Sequence, residues 1–407
     1  MVDSSKNPST ARNLLLEVMS GGPMRALLAI VLGFLVGSVF IVSTDEAFQS
    51  ALGYFFSRPS DALVAAAAAI GAGFVALFEG SIYNGSSNDF VTATRPITET
   101  LRLSAPLILA GLGIALGFRV GLFNIGGTGQ LLAGAAGAAF VSTKFELPVG
   151  LHLLFAILAA VAAAALWGGI VGFLKARTGA HEVIVTIMMN YIALSLVTWM
   201  MRTPGILQDP EVSGQPKTAA PFSSAQLPAL LGDDYALHAG LLMAIAATFF
   251  YWWFMERSVL GFTFRMVGKN EAAARVAGVN VNRTYILAMA FSAGFVGLAA
   301  ANQALGRSAG FPPSLHGGIG FDAITVALLG GGSATGVFLA GLLFGAFKAA
   351  GPSMQIAGIA PEVLLIVQGS IVLFIAAPPL IRAIFRLPAK KPPLLSQVPG
   401  KNVEAEQ

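Results

Sequence analysis

The chain is a succession of long apolar runs broken by short polar stretches. Seven runs, 26–43, 104–119, 152–174, 183–201, 238–255, 285–301 and 363–377, are nearly free of charge. Each is about the length of a helix that crosses a bilayer, for which roughly 20 apolar residues are needed. They are rich in Ala, Leu and Gly and do not alternate, which selects helices over membrane-barrel strands. Four further runs are less regular. Run 121–141 is long enough to cross but holds six glycines together with Asn124 and Gln130. Runs 321–332 and 336–350 are short and are separated by Gly330-Gly-Gly-Ser-Ala-Thr-Gly336, and run 62–78 is alanine-rich. The pattern predicts an all-α integral membrane protein, a polytopic bundle of about ten transmembrane helices.

Charge orients the runs. Residues 256–283 form an island with Arg257, Arg265, Lys269, Arg275 and Arg283 against Glu256 and Glu271. Lysine and arginine concentrate in short cytoplasmic loops, so this island marks the inside face. Lys175, Arg177 and the tail residues Arg382, Arg386, Lys390 and Lys391 belong inside by the same rule. Asp209, Glu211, Asp233 and Asp234 outnumber Arg202 and Lys217 in the loop 202–237, which suits the outside. Threading the chain through these marks gives ten crossings with both termini cytoplasmic. It leaves residues 44–103 as an external insertion, with 62–78 against the membrane or folded into the bundle. Residues 1–25 become a cytoplasmic tail, 26–387 the membrane domain, 256–284 a cytoplasmic loop and 388–407 a flexible tail. The first run is too long for a signal-peptide core and lacks a cleavage site, so it is expected to be retained.

Composition narrows the class. Charged residues are 11% of the chain and hydrophobic ones 56%, too few charges to solvate a soluble domain of 407 residues. The net charge of +4 reflects loop bias and not a nucleic-acid surface, because no aromatics interleave the basic residues. Without cysteine there is no disulfide, thiolate metal site or cysteine nucleophile, and the four histidines have no metal-ligand spacing. No nucleophile–base pair or carboxylate cluster supports catalysis. Gly331-Gly-Ser-Ala-Thr-Gly336 lacks the Lys-Ser/Thr of a phosphate loop, so the chain does not hydrolyse ATP by itself.

Two places carry candidate chemistry. The first is Leu122-Phe-Asn124-Ile-Gly126-Gly-Thr-Gly129-Gln130, polar and glycine-rich at membrane depth. Irregular backbone survives there only where protein or a water-filled cavity satisfies it. It reads as a broken helix lining a translocation path, or as a tight turn with glycines for close packing. Asn190, Tyr191 and Gln303 are further candidates for the path, with interhelical hydrogen bonding as their other reading. No charged residue lies at the centre of a clear span, which weighs against a proton-coupled secondary carrier, and Asp322 reads as a helix N-cap. The second place is 269–278, a short exposed helix closed by Gly278 on the inside face. Gly172-Phe-Leu-Lys175-Ala and Gly345-Ala-Phe-Lys348-Ala each precede a Glu-Val that opens the next run, Glu182-Val183 and Glu362-Val363. Five crossings apart, they suggest inverted internal repeats, which place a substrate path at the repeat interface.

Four segments then carry a resemblance: Gly121-Leu-Phe-Asn-Ile-Gly126 with Gly129-Gln130; His181-Glu-Val-Ile-Val-Thr-Ile-Met-Met-Asn-Tyr-Ile-Ala193; Phe264-Arg-Met-Val-Gly-Lys-Asn-Glu-Ala-Ala-Ala-Arg-Val-Ala-Gly278; and Phe321-Asp-Ala-Ile-Thr-Val-Ala-Leu-Leu-Gly330. Together they resemble the permease subunits of bacterial ABC importers of the branched-chain amino acid, ribose and nucleoside family, over about residues 104–377. The resemblance is strongest to the nucleoside and simple-sugar branch. It implies an inner-membrane permease that works with an ABC ATP-binding subunit, a second permease subunit and an external substrate-binding (lipo)protein. It also implies that Glu271, Ala272 and Ala273, with Arg265, Lys269 and Gly278, form the loop seated on the ATPase. The family pattern puts glycine six positions after the glutamate, where this chain has Ala277 and then Gly278. A neutral solute is expected, a nucleoside before a sugar or a branched-chain amino acid, because two charges of a zwitterion would need compensation out of water.

Overall fold

The computed structural model describes residues 22–377 except 212, 213 and 233, and beyond them 379, 380 and 384. Asp233 and the tail residues Lys6, Arg12, Arg382, Arg386, Lys390 and Lys391 therefore lie outside the described residues. Every predicted run contains a helix, run 121–141 only from Gly127 on: α1 (Gly22–Thr44), α2 (Glu46–Leu52), α3 (Pro59–Ser81), α4 (Phe90–Arg119), α5 (Gly127–Lys144), α6 (Leu151–Thr178) and α7 (Glu182–Arg202), then α8 (Gly240–Arg257), α9 (Val259–Lys269), α10 (Glu271–Val276), α11 (Val281–Leu305), α12 (Ile319–Leu329), α13 (Ala334–Ile356) and α14 (Glu362–Ala376). Helices α1, α3, α4, α6, α7, α11 and α13 are long and apolar enough to cross a membrane. The chain is an all-helical, multi-pass membrane protein.

Helices α4 and α11 form the centre. Residues 104–117 of α4 and 292–302 of α11, apart from the half-buried Leu298, are buried on every side, as expected of helices that are apolar all round. Helix α4 starts earlier than its apolar run, at a cap where Asp89 accepts from Thr92 N (2.9 Å) and Thr92 Oγ1 (2.7 Å). Around this pair, α6 clasps α11 and α13 clasps α4, while α1, α7, α8 and α14 lie outside. Small residues permit the closest approaches, which in membranes replace the hydrophobic drive between helices. Gly168 faces Ala293 and Gly172 faces Ile286, so α6 and α11 are antiparallel. Gly341 faces Ile108 and Gly345 faces Ser104, so α13 and α4 are antiparallel too.

The repeated segments thus occupy equivalent places, each glycine on one member of the central pair. Each following lysine is ion-paired: Lys175 with Glu182 and Lys348 with Asp322, both at 2.7 Å. Here the expected symmetry is incomplete, because Glu362 is exposed and its place is taken by Asp322. Asp322 is also not the cap of α12. The helix begins at Ile319 after Gly318 (φ 77°), which puts Asp322 inside its first turn and frees its carboxylate for Lys348.

Helix α3 encloses run 62–78 and packs on its neighbours through Gly73, against Ile41 and Ile359, and Gly80, against Ala350 and Ser353. Ser81 O accepts from Thr100 Oγ1 at 2.7 Å. These contacts place the 73–81 part of α3 at the end of the bundle opposite Arg119 and Lys175. The loop 203–239 covers that far end as well. It is tied down by Phe222 N to Ser142 O (3.0 Å) and Leu227 N to Leu305 O (2.9 Å).

A methyl group on Gly172 would stand 2.8 Å from Ile286 Cα. Gly172→Val and Gly345→Val are each expected to cost about 1–3 kcal/mol of stability by overpacking, while Gly351→Val, at an open position, costs little. Thermal unfolding of the detergent-solubilised protein reads the difference; equal midpoints for all three would contradict this packing.

Candidate functional site

The site grows from a break in the helical path. After Arg119 the chain turns through Gly121 (φ 81°) and runs non-helically to Gly126 before α5 begins. Its freed backbone groups are met by side chains. Asn124 Oδ1 accepts from Gly126 N (2.9 Å) and Gln130 Nε2 (3.1 Å), and Asn124 Nδ2 donates to Gln130 Oε1 (3.1 Å) and Ser292 Oγ (2.9 Å). Ser292 in turn donates to Gly113 O (2.7 Å), joining the break to both central helices. On the other side, Asn190 Oδ1 accepts from Gly129 N (2.8 Å) and Asn190 Nδ2 donates to Ile125 O (3.0 Å).

Asn124 is 0% exposed and Gln130 1%. In this conformation the two amides face each other and not an open path. With each amide bonded inside the chain, they brace the break from within, and the closed ring between them leaves neither free for a ligand in this conformation. Asn190 joins the same knot. Tyr191, the next residue on α7, turns outward and is 65% exposed, as is a good part of Phe123 in the break. Gln303 is half-buried and stands apart, about 16 Å along α11 from Ser292 at 1.5 Å per residue. Ser292 had no signal in the sequence, being one hydroxyl in a long apolar run.

A second interruption meets the first. Helix α12 has 11 residues, too short to cross alone. Its Gly320 lies against the first turn of α5, where a methyl group on Gly127 would stand 3.0 Å from Gly320 O. The N-termini of two broken helices therefore converge inside the bundle, one from each half of the apparent repeat.

At the other extreme of the break lies the basic end. Glu256 bridges Arg119 (2.8 Å) and Arg265 (2.8 Å), and Arg265 also donates to Met255 O. Gly332 O, from the turn before α13, accepts from Tyr251 OH (2.9 Å) and Arg119 (3.4 Å). Beyond this latch, α10 is capped by Asn270, whose Oδ1 accepts from Ala273 N (3.0 Å). Gly278 (φ 83°) ends it with its N–H on Arg275 O (3.0 Å), so the positive φ falls at 278 and Ala277 remains in an ordinary conformation. Lys269, Glu271, Ala272 and Ala273 are exposed, whereas Arg265 turns inward as a brace. The hydrogen bonds from Arg275, then Tyr285, hold the Glu271 carboxyl below its ordinary range. Val276, unremarked in the sequence, is 91% exposed and adds an apolar tip to this helix.

The family model for the branched-chain amino acid transport system permease component matches residues 97–376. The chain belongs to this ABC permease family. The guanosine ABC transporter permease protein NupP of Bacillus subtilis is 42% identical over 301 residues, 72% of this chain and 85% of that protein. The nucleoside ABC transporter permease protein NupB of Lactococcus lactis is 35% identical over 302 residues, covering 72% and 83%. The glucose ABC transporter permease protein TsgB13 of Haloferax volcanii is 33% identical over 332 residues, covering 79% and 87%. No solved structure matches the chain. As an ABC permease, the protein is a transport subunit, and the break, the knot and α10 lie within the matched region.

Asn124→Leu would strand Gly126 N–H, the Gln130 amide and an acceptor on Ser292, at about 1–3 kcal/mol for each unpaired buried group. It should lower the unfolding midpoint of the purified permease by several degrees, while Tyr191→Leu barely moves it. A midpoint for Asn124→Leu equal to the parent's would remove the bracing role.

Proposed function

We propose that the chain is one permease of an ATP-driven importer for nucleosides. The observation that carries this reading is the 42% identity to the guanosine permease across most of that protein's length. The bundle is compatible with it. Side chains at the break are neutral and amide-rich, suited to a solute that needs hydrogen bonds and an apolar surface but no countercharge. Tyr191 and Phe123 provide the apolar surface, with Asn124, Gln130 and Asn190 holding the wall behind them and Gln303 nearer the far end. A sugar is the second reading, favoured by the glucose permease relative.

The basic end, with Arg119, Lys175 and the 256–284 loop, faces the cytoplasm, and both termini lie on that side. Residues 44–103 and the loop 203–239 then face outward, where a binding protein delivers the solute, and the tails 1–25 and 388–407 stay inside. The setting is a bacterial plasma membrane. A second permease covers the apolar face of α7, on which Ile184, Met188 and Trp199 are all exposed. The ATP-binding subunit receives α10 through Ala272, Ala273 and Val276, with Glu271 and Arg275 (2.6 Å apart) at its flank.

Uptake of radiolabelled guanosine into vesicles holding the complete transporter tests this. Unlabelled nucleosides should compete, and glucose and leucine should not; competition by glucose alone would assign the sugar reading. Ala273→Pro removes the N–H that Asn270 caps and should reduce uptake about tenfold or more with insertion intact. Glu271→Pro spares the helix, since the first helical position accepts proline, but removes the carboxylate that Arg275 and Tyr285 share. Normal uptake by Ala273→Pro would take α10 out of the mechanism.

A further inference from the structure

An unbroken series of side-chain contacts leads from α10 to the break before α5. Arg275 bonds Glu271 Oε1 at 2.6 Å, and Glu271 Oε2 accepts from Tyr285 OH at 2.9 Å. The Tyr285 ring carries the Lys175 ammonium 5.4 Å from its centroid, within cation–π range. Lys175 Nζ donates to Glu182 Oε2 at 2.7 Å, and Glu182 Oε1 accepts from Phe123 N at 3.5 Å. Phe123 is next to Asn124, the centre of the knot. The residues come from five separate places, α10, α11, α6, α7 and the break, so the series is a product of the fold and not of local sequence.

The middle of the series is also its most shielded part. The side chains of Lys175 and Glu182 are 22% and 11% exposed, against 58% and 45% for Arg275 and Glu271. Attraction between charges strengthens as water is excluded, so the inner pair holds together more tightly than the outer one. Its bond to Phe123 N, at 3.5 Å, is the longest hydrogen bond in the series.

We propose that Lys175 and Glu182 are positioning residues that carry displacement of α10 to the break and thereby couple ATP hydrolysis to opening of the path. This rests on the functional reading above, in which an ATPase seats on α10. A shift of α10 moves Tyr285 through Glu271; the ring carries the ammonium; the ammonium carries Glu182, which releases or holds the Phe123 N–H. Coupling of this kind needs a contiguous network that both sites bias, and the break, held to other helices by a few side-chain bonds, is where this one ends.

The test uses the whole transporter in proteoliposomes with its ATPase, second permease and binding protein. Lys175→Met and Glu182→Gln are expected to keep hydrolysing ATP while solute moved per ATP falls about tenfold, and Lys175→Arg to restore most of the ratio. A merely structural pair would not change that ratio. Because the chain has no cysteine, Phe123→Cys reports the break directly through its thiol-labelling rate. ATP should change that rate in the parent background and not in Glu182→Gln. An unaltered solute-to-ATP ratio in both variants, or an ATP-dependent labelling change that persists in Glu182→Gln, overturns the proposal. If neither pair variant assembles, Tyr285→Ala removes the ring that meets Lys175, and a parental ratio there overturns it equally. A parent transporter with no ATP-driven uptake would instead remove the functional reading, and the coupling role with it.

Discussion

Backbone that leaves the helix inside an apolar bundle must find its hydrogen bonds within the protein, and the rest of this structure depends on how that is done. Asn124 supplies one part of the answer, accepting from Gly126 N and joining Gln130 and Ser292 in one network. Asn190 closes the other side through Gly129 N and Ile125 O. These bonds tie the break to α4, α5, α7 and α11 together. A path through the bundle can therefore have a shaped, non-helical wall without water reaching the backbone behind it.

The same economy of space governs the packing. Glycines at 168, 172, 341 and 345 let two long helices press onto the central pair from opposite sides. The broken helices α5 and α12 then meet head to head at Gly127 and Gly320. Nothing larger than glycine fits there, since a methyl group on either would meet backbone. An arrangement in which two short helices begin in the middle of the bundle concentrates irregular backbone and polar groups at one depth. That is where a transporter has use for them.

Much of this was legible in the sequence because apolar length and loop charge are strong signals. Six of the seven clear runs reappear within a few residues as helices, run 104–119 reappears as the second half of the longer α4, and the glycine-rich stretch from Gly121 holds the break, which ends at Gly126. The pairing of 172–175 with 345–348 pointed to equivalent helices, although Lys348 pairs with Asp322 and not with Glu362, the counterpart of Glu182. Direction of side chains was not legible. In a helix buried all round, periodicity no longer says which neighbour a residue faces, so Asn124 and Gln130 read equally as lining or as brace. Ser292 and Val276 carry no composition signal at all, and Arg265 looks in sequence like any loop cation until the fold sets Glu256 beside it. The relation of Lys175 to Tyr285 spans two helices distant in the chain and exists only once they are packed.

The central claim is that, without nucleotide, the break is held in place because the chain's own side chains satisfy it. Hydrogen exchange of the 121–130 segment in the assembled, nucleotide-free transporter tests that most directly. The amides of Gly126 and Gly129, held by Asn124 and Asn190, should exchange as slowly as the interior of α4. Exchange of those two amides at the rate of an open, solvated loop would contradict the account.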